Sequence, residues 1–309
     1  MAKEIYISLQ DELLSLKKER NALILAHNYQ VGEIQDAADF LGDSLALARY
    51  ASKTNADVIV FCGVHFMAET ASILCPNKKV LIPDPYAGCS LAAGITAKEV
   101  RQWKHDHPDG MIVCYVNSTA EVKAESDYCC TSSNAVKVVE SIPSDKEIFF
   151  IPDFYLGTFV KKKTGRDNIH LWHGRCHTHM RIDSEKILEL KGQYPQAEFL
   201  MHPECGCLTK SMDLADQILS TDGMVRYAKS SPANEFIIAT ENGLLHKLQK
   251  DNPQKTFYAA SERAHCEYMK LNTLEKVIES LENLQYEVKV PEHLAKRALL
   301  PLERMISIG

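Results

Sequence analysis

The sequence contains no apolar run as long as the ~18 residues of a membrane span, and no stretch typical of a signal peptide. Its first residues mix charges with a stripe of leucines, Leu9, Leu13 and Leu16, which predicts an amphipathic helix instead. Basic residues are not in excess, since the net charge is −6, so the composition does not favour nucleic acid as a partner. We expect a cytoplasmic protein that binds neither membranes nor nucleic acid.

The ten cysteines include no C-x-x-C pair, which is the spacing of most compact zinc and iron–sulfur motifs. In a reducing compartment we expect free thiols or metal ligands rather than disulfides. Several cysteines, such as Cys62 and Cys114, lie in apolar runs and are expected to be packed core thiols. The stretch "LWHGRCHTHM" has the densest group of metal-binding residue types, so His173, Cys176 and His179 could form a local zinc site.

Short apolar runs alternate with helical patterns along the chain. The runs are rich in β-branched and aromatic residues and mostly do not alternate with polar ones, as is typical of strands buried on both faces of a parallel sheet. Alternation of such strands with helices predicts an α/β fold with right-handed crossovers. The predicted strands are residues 22–27, 57–63, 79–83, 111–116, 147–152, 168–173, 197–202, 235–240 and 256–260.

Three polar tripeptides, each at the predicted start of a helix, recur at equal spacing. Asp43, Ser132 and Thr221 mark them, and both intervals between these residues are 89 residues long. Each tripeptide follows a strand that ends in a polar group and precedes a strand, a helix and a further strand. A recurring order of this kind indicates an internal repeat.

A cysteine follows the last strand of each predicted repeat. Cys89, Cys176 and Cys266 are separated by 87 and 90 residues. Any long α/β chain yields some coincident spacings, but here tripeptide, strand-end polar group and cysteine recur in the same order. We therefore predict three copies of one strand–helix–strand–helix–strand unit. The predicted domains are residues 1–88, joined by the C-terminal residues 270–309, then residues 89–175 and residues 176–269.

In an open parallel sheet, ligands bind beyond the carboxyl ends of the strands, where the polar groups and the three cysteines are expected. If the three edges face one another, the three thiols meet at the centre and can hold zinc or three corners of a [4Fe–4S] cluster. The helix starts at Ser44, Ser132 and Thr221 offer backbone N–H groups and hydroxyls to an anion. Ordinary N-capping is the alternative role of these three hydroxyls.

Motifs along the chain resemble those of the quinolinate synthase A family. They are "LAHNYQ", "FMAE", "PDPYAGCSLA", "YVNSTAEVKA", "CTSSNAVKVV", "HPEC", "STDGM", "ATENGLLHKL" and "CEYMKLNTLEKV", in this order over roughly residues 20–285. The resemblance implies three homologous αβα-sandwich domains with small parallel sheets, in a pseudo-threefold arrangement around a central [4Fe–4S] cluster. By position, Cys89, Cys176 and Cys266 match the cluster ligands.

The chain departs from the family pattern at some positions. His177 follows the middle cysteine, where the family usually has proline, and Asp222 stands in "STDGM" where a small residue is expected. The C-terminal C-x-x-C-x-x-C of some members is missing, so thiol–disulfide control is not expected there. His173 and His177 are expected beside the site or at the surface.

The reaction implied by the resemblance condenses iminoaspartate with dihydroxyacetone phosphate to quinolinate, releasing phosphate and two molecules of water, in NAD biosynthesis. This is a transferase reaction that includes dehydration, and an aspartate oxidase or dehydrogenase is a possible functional partner. The iron without a cysteine ligand would act as a Lewis acid. The resemblance implies acid–base roles for Tyr29, His202 and Glu204. It implies substrate binding by His27, Ser44, Tyr115, Asn117, Ser132, His179 and Thr221.

A purely structural role is the alternative for some of these residues. His27 can be a buried core histidine, and His202 and Glu204 can stabilise a loop. Two other functions also use the same cysteines. One is a zinc-dependent hydrolase or lyase, and the other is an iron–sulfur electron carrier, which would need a fourth cysteine ligand.

Overall fold

The computed structural model describes residues 2–308, with side chains from residue 9 onwards. Within these residues the strands form three separate four-stranded sheets in which every pairing is parallel. The strands are β1 (Ala22–His27), β2 (Phe40–Gly42), β3 (Val58–Cys62), β4 (Lys79–Leu81), β5 (Met111–Tyr115), β6 (Tyr128–Cys130), β7 (Ile148–Ile151), β8 (Ile169–Leu171), β9 (Glu198–Met201), β10 (Gln217–Ile218), β11 (Glu235–Ala239) and β12 (Thr256–Ala259).

Helices connect the strands and cover the sheets. They are α1 (Ala2–Glu19), α2 (Gly32–Ala37), α3 (Ser44–Lys53), α4 (His65–Leu74), α5 (Ala97–Asp106), α6 (Ala120–Lys123), α7 (Ala135–Glu140), α8 (Phe154–Thr164), α9 (Ser184–Gln193), α10 (Leu208–Ser211), α11 (Thr221–Ser230), α12 (Leu244–Asp251), α13 (Leu274–Asn283) and α14 (Glu292–Ser307). None of the described helices is both long and apolar enough to cross a membrane.

The three sheets share one strand order. In chain order the strands of each sheet lie second, first, third, fourth: β2-β1-β3-β4, β6-β5-β7-β8 and β10-β9-β11-β12. Every residue of β3 is buried, as expected for a strand covered by helices on both faces. The predicted α/β class with three small parallel sheets is confirmed. We call each sheet with its helices the first, second or third unit.

The turn after each predicted ligand cysteine also repeats. A short 3₁₀ helix begins three residues after each one, at Ala92, His179 and Met269. The third unit therefore follows the local plan of the first two, although its cysteine loop has a different sequence.

Helices α1 and α13 pack on the first sheet, and α14 joins the first two units. Helix α1 packs against α13, and α13 packs against β3 of the first sheet. Helix α14 contacts α3 and α4 of the first unit and α6 and β6 of the second. The domain boundaries given above stay a prediction.

Two expectations from the sequence need correction. Cys205 and Cys207 form a disulfide rather than free thiols, because the chain turns at Gly206 and brings their Cα atoms to 5.2 Å. Helix α7 begins at Ala135, so Ser132 lies in the preceding turn rather than at the helix start.

Candidate active site

One cavity lies where the carboxyl ends of the three sheets meet. All the predicted site residues contribute to its wall: His27, Tyr29, Ser44, Cys89, Tyr115, Asn117, Ser132, Cys176, His179, His202, Glu204, Thr221 and Cys266. These residues therefore lie around one cavity, and the catalytic, binding or ligand role of each one remains a prediction.

The cavity receives one cysteine from each unit. Cys89, Cys176 and Cys266 are partly exposed free thiols, whereas the other free cysteines in the described part of the chain are buried. Burial, with a smaller contribution from the nearby Cys266, raises the pKa of the Cys89 thiol to about 12. Three thiolates side by side therefore require a cation, and bound metal deprotonates such thiols. The donor set fits an iron–sulfur cluster with three cysteine ligands.

A second ligand group overlaps this trio. Ligand atoms of Cys176, His179 and Glu204 all lie within 4.8 Å of one another. Nδ1 of His179 is 3.2 Å from Sγ of Cys176 and 3.9 Å from Oε2 of Glu204. These residues could hold a single metal ion, so the geometry alone leaves zinc as a competing occupant. His173 is exposed and stacks on Phe154 outside the cavity wall, which argues against the alternative of a local zinc site with Cys176 and His179.

Tyr29 follows the first strand of the first unit and reaches across to the third. Its hydroxyl lies 2.6 Å from Oγ1 of Thr240 and 3.5 Å from Nε2 of His179. Burial, with the nearby Glu204, raises the pKa of Tyr29 well above its usual value. The phenol is therefore protonated and can donate a proton. Burial also lowers the pKa of His179 to about 3, so this imidazole is neutral.

His202 and Glu204 follow β9 and face the second unit. Nδ1 of His202 lies 3.4 Å from Oε2 of Glu204, and the Tyr115 hydroxyl donates to the same oxygen at 3.1 Å. Burial lowers the pKa of His202 and, with Asp153 nearby, raises that of Glu204. Burial thus favours the uncharged form of each group, in which Glu204 can donate a proton and His202 can accept one.

Two buried acceptors in the cavity wall have no hydrogen-bond partner among the described residues. They are Oε1 of Glu204 and Oδ1 of Asn117. Buried polar atoms are normally paired, so these two indicate where a ligand or water binds.

The N-termini of α3 and α11 point their hydroxyls into the cavity. The N-cap side chains are Asp43 and Ser220, which accept hydrogen bonds from backbone N–H groups one turn on. Ser44 and Thr221 are therefore not the capping residues, and both line the cavity. Ser132 reaches the cavity from its turn, with Oγ 3.2 Å from Nε2 of His202. Because Asp43 and Ser220 are the N-caps, capping does not explain the presence of Ser44 and Thr221.

Asp222 brings a carboxyl group close to this end of the cavity. It accepts hydrogen bonds from Nδ2 of Asn28 at 2.7 Å and from the backbone N–H of Asp43 at 3.0 Å. Burial and the carboxylate of Asp43 raise the pKa of Asp222 to about 6. This departure from the family pattern is thus accommodated by partners in the first unit.

The residues that directly follow the three cysteines are hydrogen-bonded to one another. Nδ1 of His177 lies 2.9 Å from Oγ of Ser90, and its Nε2 lies 3.0 Å from Oε2 of Glu267. Glu267 also pairs with Arg181 at 2.6 Å. We call Ser90, His177 and Glu267 the loop brace, because they connect all three cysteine loops.

Sequence reasoning missed Thr240 and Glu241, which follow the third strand of the third sheet. Thr240 contacts Tyr29 and His179, while Glu241 accepts the backbone N–H of Cys266 at 3.0 Å and pairs with Lys270 at 3.1 Å. The predicted site residues follow the first and fourth strands of each unit. The third strands end at the same edge of the sheet, so polar residues directly after them are also expected at the site, and Thr240 and Glu241 fit this expectation.

Comparison with known proteins agrees with this geometry. The family described as "NadA: Quinolinate synthetase A protein" matches residues 11–307. The quinolinate synthase of Pyrobaculum aerophilum is 55% identical over 307 residues, covering 97% of this chain and 100% of that protein. A quinolinate synthase of Thermus thermophilus is 54% identical over 304 residues, covering 98% of each chain. Quinolinate synthase 2 of Methanosarcina acetivorans is 52% identical over 301 residues, covering 97% of this chain and 96% of that protein. The chain belongs to the quinolinate synthetase A family.

Proposed function

We propose that this chain is a quinolinate synthase that condenses iminoaspartate with dihydroxyacetone phosphate in NAD biosynthesis. The products are quinolinate, phosphate and two molecules of water. The observation that carries the proposal is a single cavity that receives one partly exposed cysteine from each unit beside hydroxyls at two helix N-termini. The names of the relatives support it. A cytoplasmic location, and supply of iminoaspartate by an aspartate oxidase or dehydrogenase, are part of the proposal.

Cys89, Cys176 and Cys266 would hold a [4Fe–4S] cluster in the cavity wall. When bound by three cysteines, such a cluster supplies one iron with an open coordination position, which can polarise a substrate oxygen as a Lewis acid. Among the described residues the cavity wall contains no fourth cysteine, which argues against an electron carrier.

The hydroxyl-bearing end of the cavity binds the substrate anions. The N-termini of α3 and α11 carry partial positive charge, and Ser44 and Thr221 add hydroxyl donors beside it. Ser132 adds a third hydroxyl from the second unit. Three anionic groups can therefore be held without a large cationic patch.

Protons move through the buried acids and bases between the two ends. Tyr29 holds its proton and donates it to a substrate oxygen at the cysteine end. Glu204 and His202 act on the condensing carbons, one as donor and one as acceptor. His27, Tyr115, Asn117 and His179 orient the substrates, because each lines the cavity between these groups.

The cysteine assignment is tested by four alanine variants purified anaerobically. Cys89→Ala, Cys176→Ala and Cys266→Ala should each lose cluster iron, cluster sulfide and quinolinate formation, because each removes one of three ligands. Cys62→Ala is the matched control, since Cys62 is a buried thiol in β3 that lies outside the cavity wall, and it should keep all three.

The same samples separate the competing functions. Iron and sulfide with quinolinate formation from the two substrates support the proposal. Colourless protein containing zinc, or a Cys62→Ala variant without cluster, contradicts it. Cluster without quinolinate formation in the unmodified protein would contradict the enzymatic function while retaining the cysteine assignment.

A further inference from the structure

Another group of metal-binding side chains lies outside the cavity, at the amino end of the second sheet. His107, Glu147 and His170 each offer a ligand atom, and these atoms all lie within 4.8 Å of one another. Nδ1 of His107 is 2.7 Å from Oε2 of Glu147, and Nε2 of His170 is 3.6 Å from Oε1. The second distance is too long for a hydrogen bond, so this imidazole is near the carboxylate without being bonded to it.

Local structure explains why the three side chains converge. His107 directly follows α5 as its C-cap residue, and Glu147 immediately precedes β7. His170 lies in β8, where it is paired with Phe149 of β7. Glu147 and Phe149 are two residues apart in extended chain and share a face, so Glu147 and His170 lie diagonally on that face.

Aromatic packing holds one ligand in place. The ring of Trp103 in α5 stacks on His107, with centroids 4.4 Å apart, and on Phe149, with centroids 4.9 Å apart. His107 is thus oriented before any ion binds, which lowers the entropic cost of binding.

We propose that His107, Glu147 and His170 bind a divalent transition-metal ion such as Zn²⁺ or Ni²⁺. Two imidazoles and one carboxylate are a common ligand set for these ions, with remaining positions filled by water. The side chains are about one-third to one-half exposed, at 32%, 48% and 45%, so an ion can enter and keep water ligands. A bound ion would join α5 to two strands of the second sheet.

This site is separate from the proposed cluster. Glu147 precedes its strand, at the amino end of the second sheet, whereas Cys176 follows the carboxyl end of β8. Metal binding here should therefore leave cluster absorbance and quinolinate formation unchanged.

Trp103 provides a local reporter for the test. The chain has two tryptophans, so Trp172→Phe in the cluster-loaded protein leaves Trp103 as the single emitter. Its ring lies 4.4 Å from that of His107 and 6.0 Å from that of His170. Titration with NiCl₂ should quench this emission to saturation at one equivalent, because paramagnetic Ni²⁺ would bind beside the ring.

Variants in the same background identify the ligands. His170→Ala and Glu147→Gln should each weaken Ni²⁺ binding by at least about tenfold. His105→Ala is the matched control, since His105 lies in α5 with its side chain 83% exposed, and it should bind as the parent does. ZnCl₂ should raise the unfolding temperature of the parent but not of His170→Ala, because binding to the folded state alone stabilises it. Quenching that His170→Ala leaves unchanged, or no saturable quenching in the parent, would overturn the proposal.

Discussion

At the scale of single residues, burial sets the charge of the cavity. It lowers the pKa of His27 and of His179 to about 3, and it raises the pKa of Glu204 well above its usual value. Burial therefore favours the uncharged forms of these three groups. Uncharged side chains oppose the partial positive charges of the helix N-termini less than carboxylates would, which favours the binding of anions.

Asp43 and Asp222 bring two carboxyls to the proposed anion-binding end, and that of Asp222 is predicted to cost stability when ionised. Its pKa in the folded protein is about 6, raised by burial and by Asp43, while Arg226 acts in the opposite direction. A raised folded-state pKa stabilises the fold below the unfolded pKa, and this stabilisation is lost as pH rises through about 6. Asp222→Asn keeps an acceptor for Asn28 but cannot ionise.

Urea unfolding at two pH values tests this effect. Between about pH 4.5 and about pH 7, the parent should lose roughly 2 kcal/mol of unfolding free energy relative to Asp222→Asn, since one pKa unit is about 1.4 kcal/mol. Asp213→Asn is a control, because its side chain is 94% exposed. If the difference between parent and Asp222→Asn does not change with pH, the buried carboxyl is not the titrating group.

The sequence predicts those site residues that recur at matching positions in the three repeats. Ser44 and Thr221 were found because their tripeptide recurs, and Cys266 because its spacing matches the first two cysteines. Thr240 stands alone after its strand, so no recurrence pointed to it. The Cys205–Cys207 disulfide depends on how the chain turns at Gly206, which the sequence pattern does not reveal.

At the scale of elements, the two central strands and one edge strand of each sheet are predicted from the sequence, and the other edge strand is not. All nine predicted runs contain a strand, but β2, β6 and β10 were missed. These strands have two or three residues each and do not lie within a longer apolar run, whereas the equally short β4 and β8 do. Strands β2 and β10 lead into the starts of α3 and α11, and β6 leads into the turn that carries Ser132.

The loops after the fourth strands are connected by the loop brace, and His177 is its central member. Its two ring nitrogens contact Ser90 of the first cysteine loop and Glu267 of the third. His177→Ala removes both contacts but no proposed cluster ligand. The cysteine loops should then open more often and release iron faster.

Iron release to a chelator measures this effect. Since one hydrogen bond contributes about 1 kcal/mol, His177→Ala should accelerate the loss of visible cluster absorbance by roughly fivefold or more. His173→Ala is the matched control, because His173 is exposed nearby and stacks on Phe154 outside the cavity. Equal release rates in the two variants would show that the brace does not retain the cluster.

At the scale of the whole molecule, the cavity is assembled by contacts between units. Tyr29 of the first unit meets Thr240 of the third, and Tyr115 of the second meets Glu204 of the third. Ser133 of the second unit donates to Ser220 of the third at 2.8 Å. The side chains proposed to transfer protons and the cavity hydroxyls therefore contact one another only when all three units are packed together.

Helix α14 packs against both of the first two units. Asn134 connects the C-terminal end of this helix to the cavity wall, and we predict that this connection positions Ser132. Its Nδ2 donates to the carbonyls of Met305 and Ile308 at 2.9 and 2.8 Å, while its Oδ1 accepts from the backbone N–H of Thr131 at 2.8 Å. The turn that carries Ser132 is thereby attached to the C-terminal helix.

Asn134→Ala should loosen that turn and affect the anion-binding end more than the chemistry. We expect a loss of roughly 1–3 kcal/mol in unfolding free energy, because buried backbone groups lose their partners. KM for dihydroxyacetone phosphate should rise several-fold while kcat changes less, since Ser132 is proposed to bind substrate and not to transfer protons. Asn283→Ala is the control, because its amide donates to Glu279 at the exposed end of α13. A fall in kcat at unchanged KM would place Ser132 in the chemical step and contradict its assignment to substrate binding.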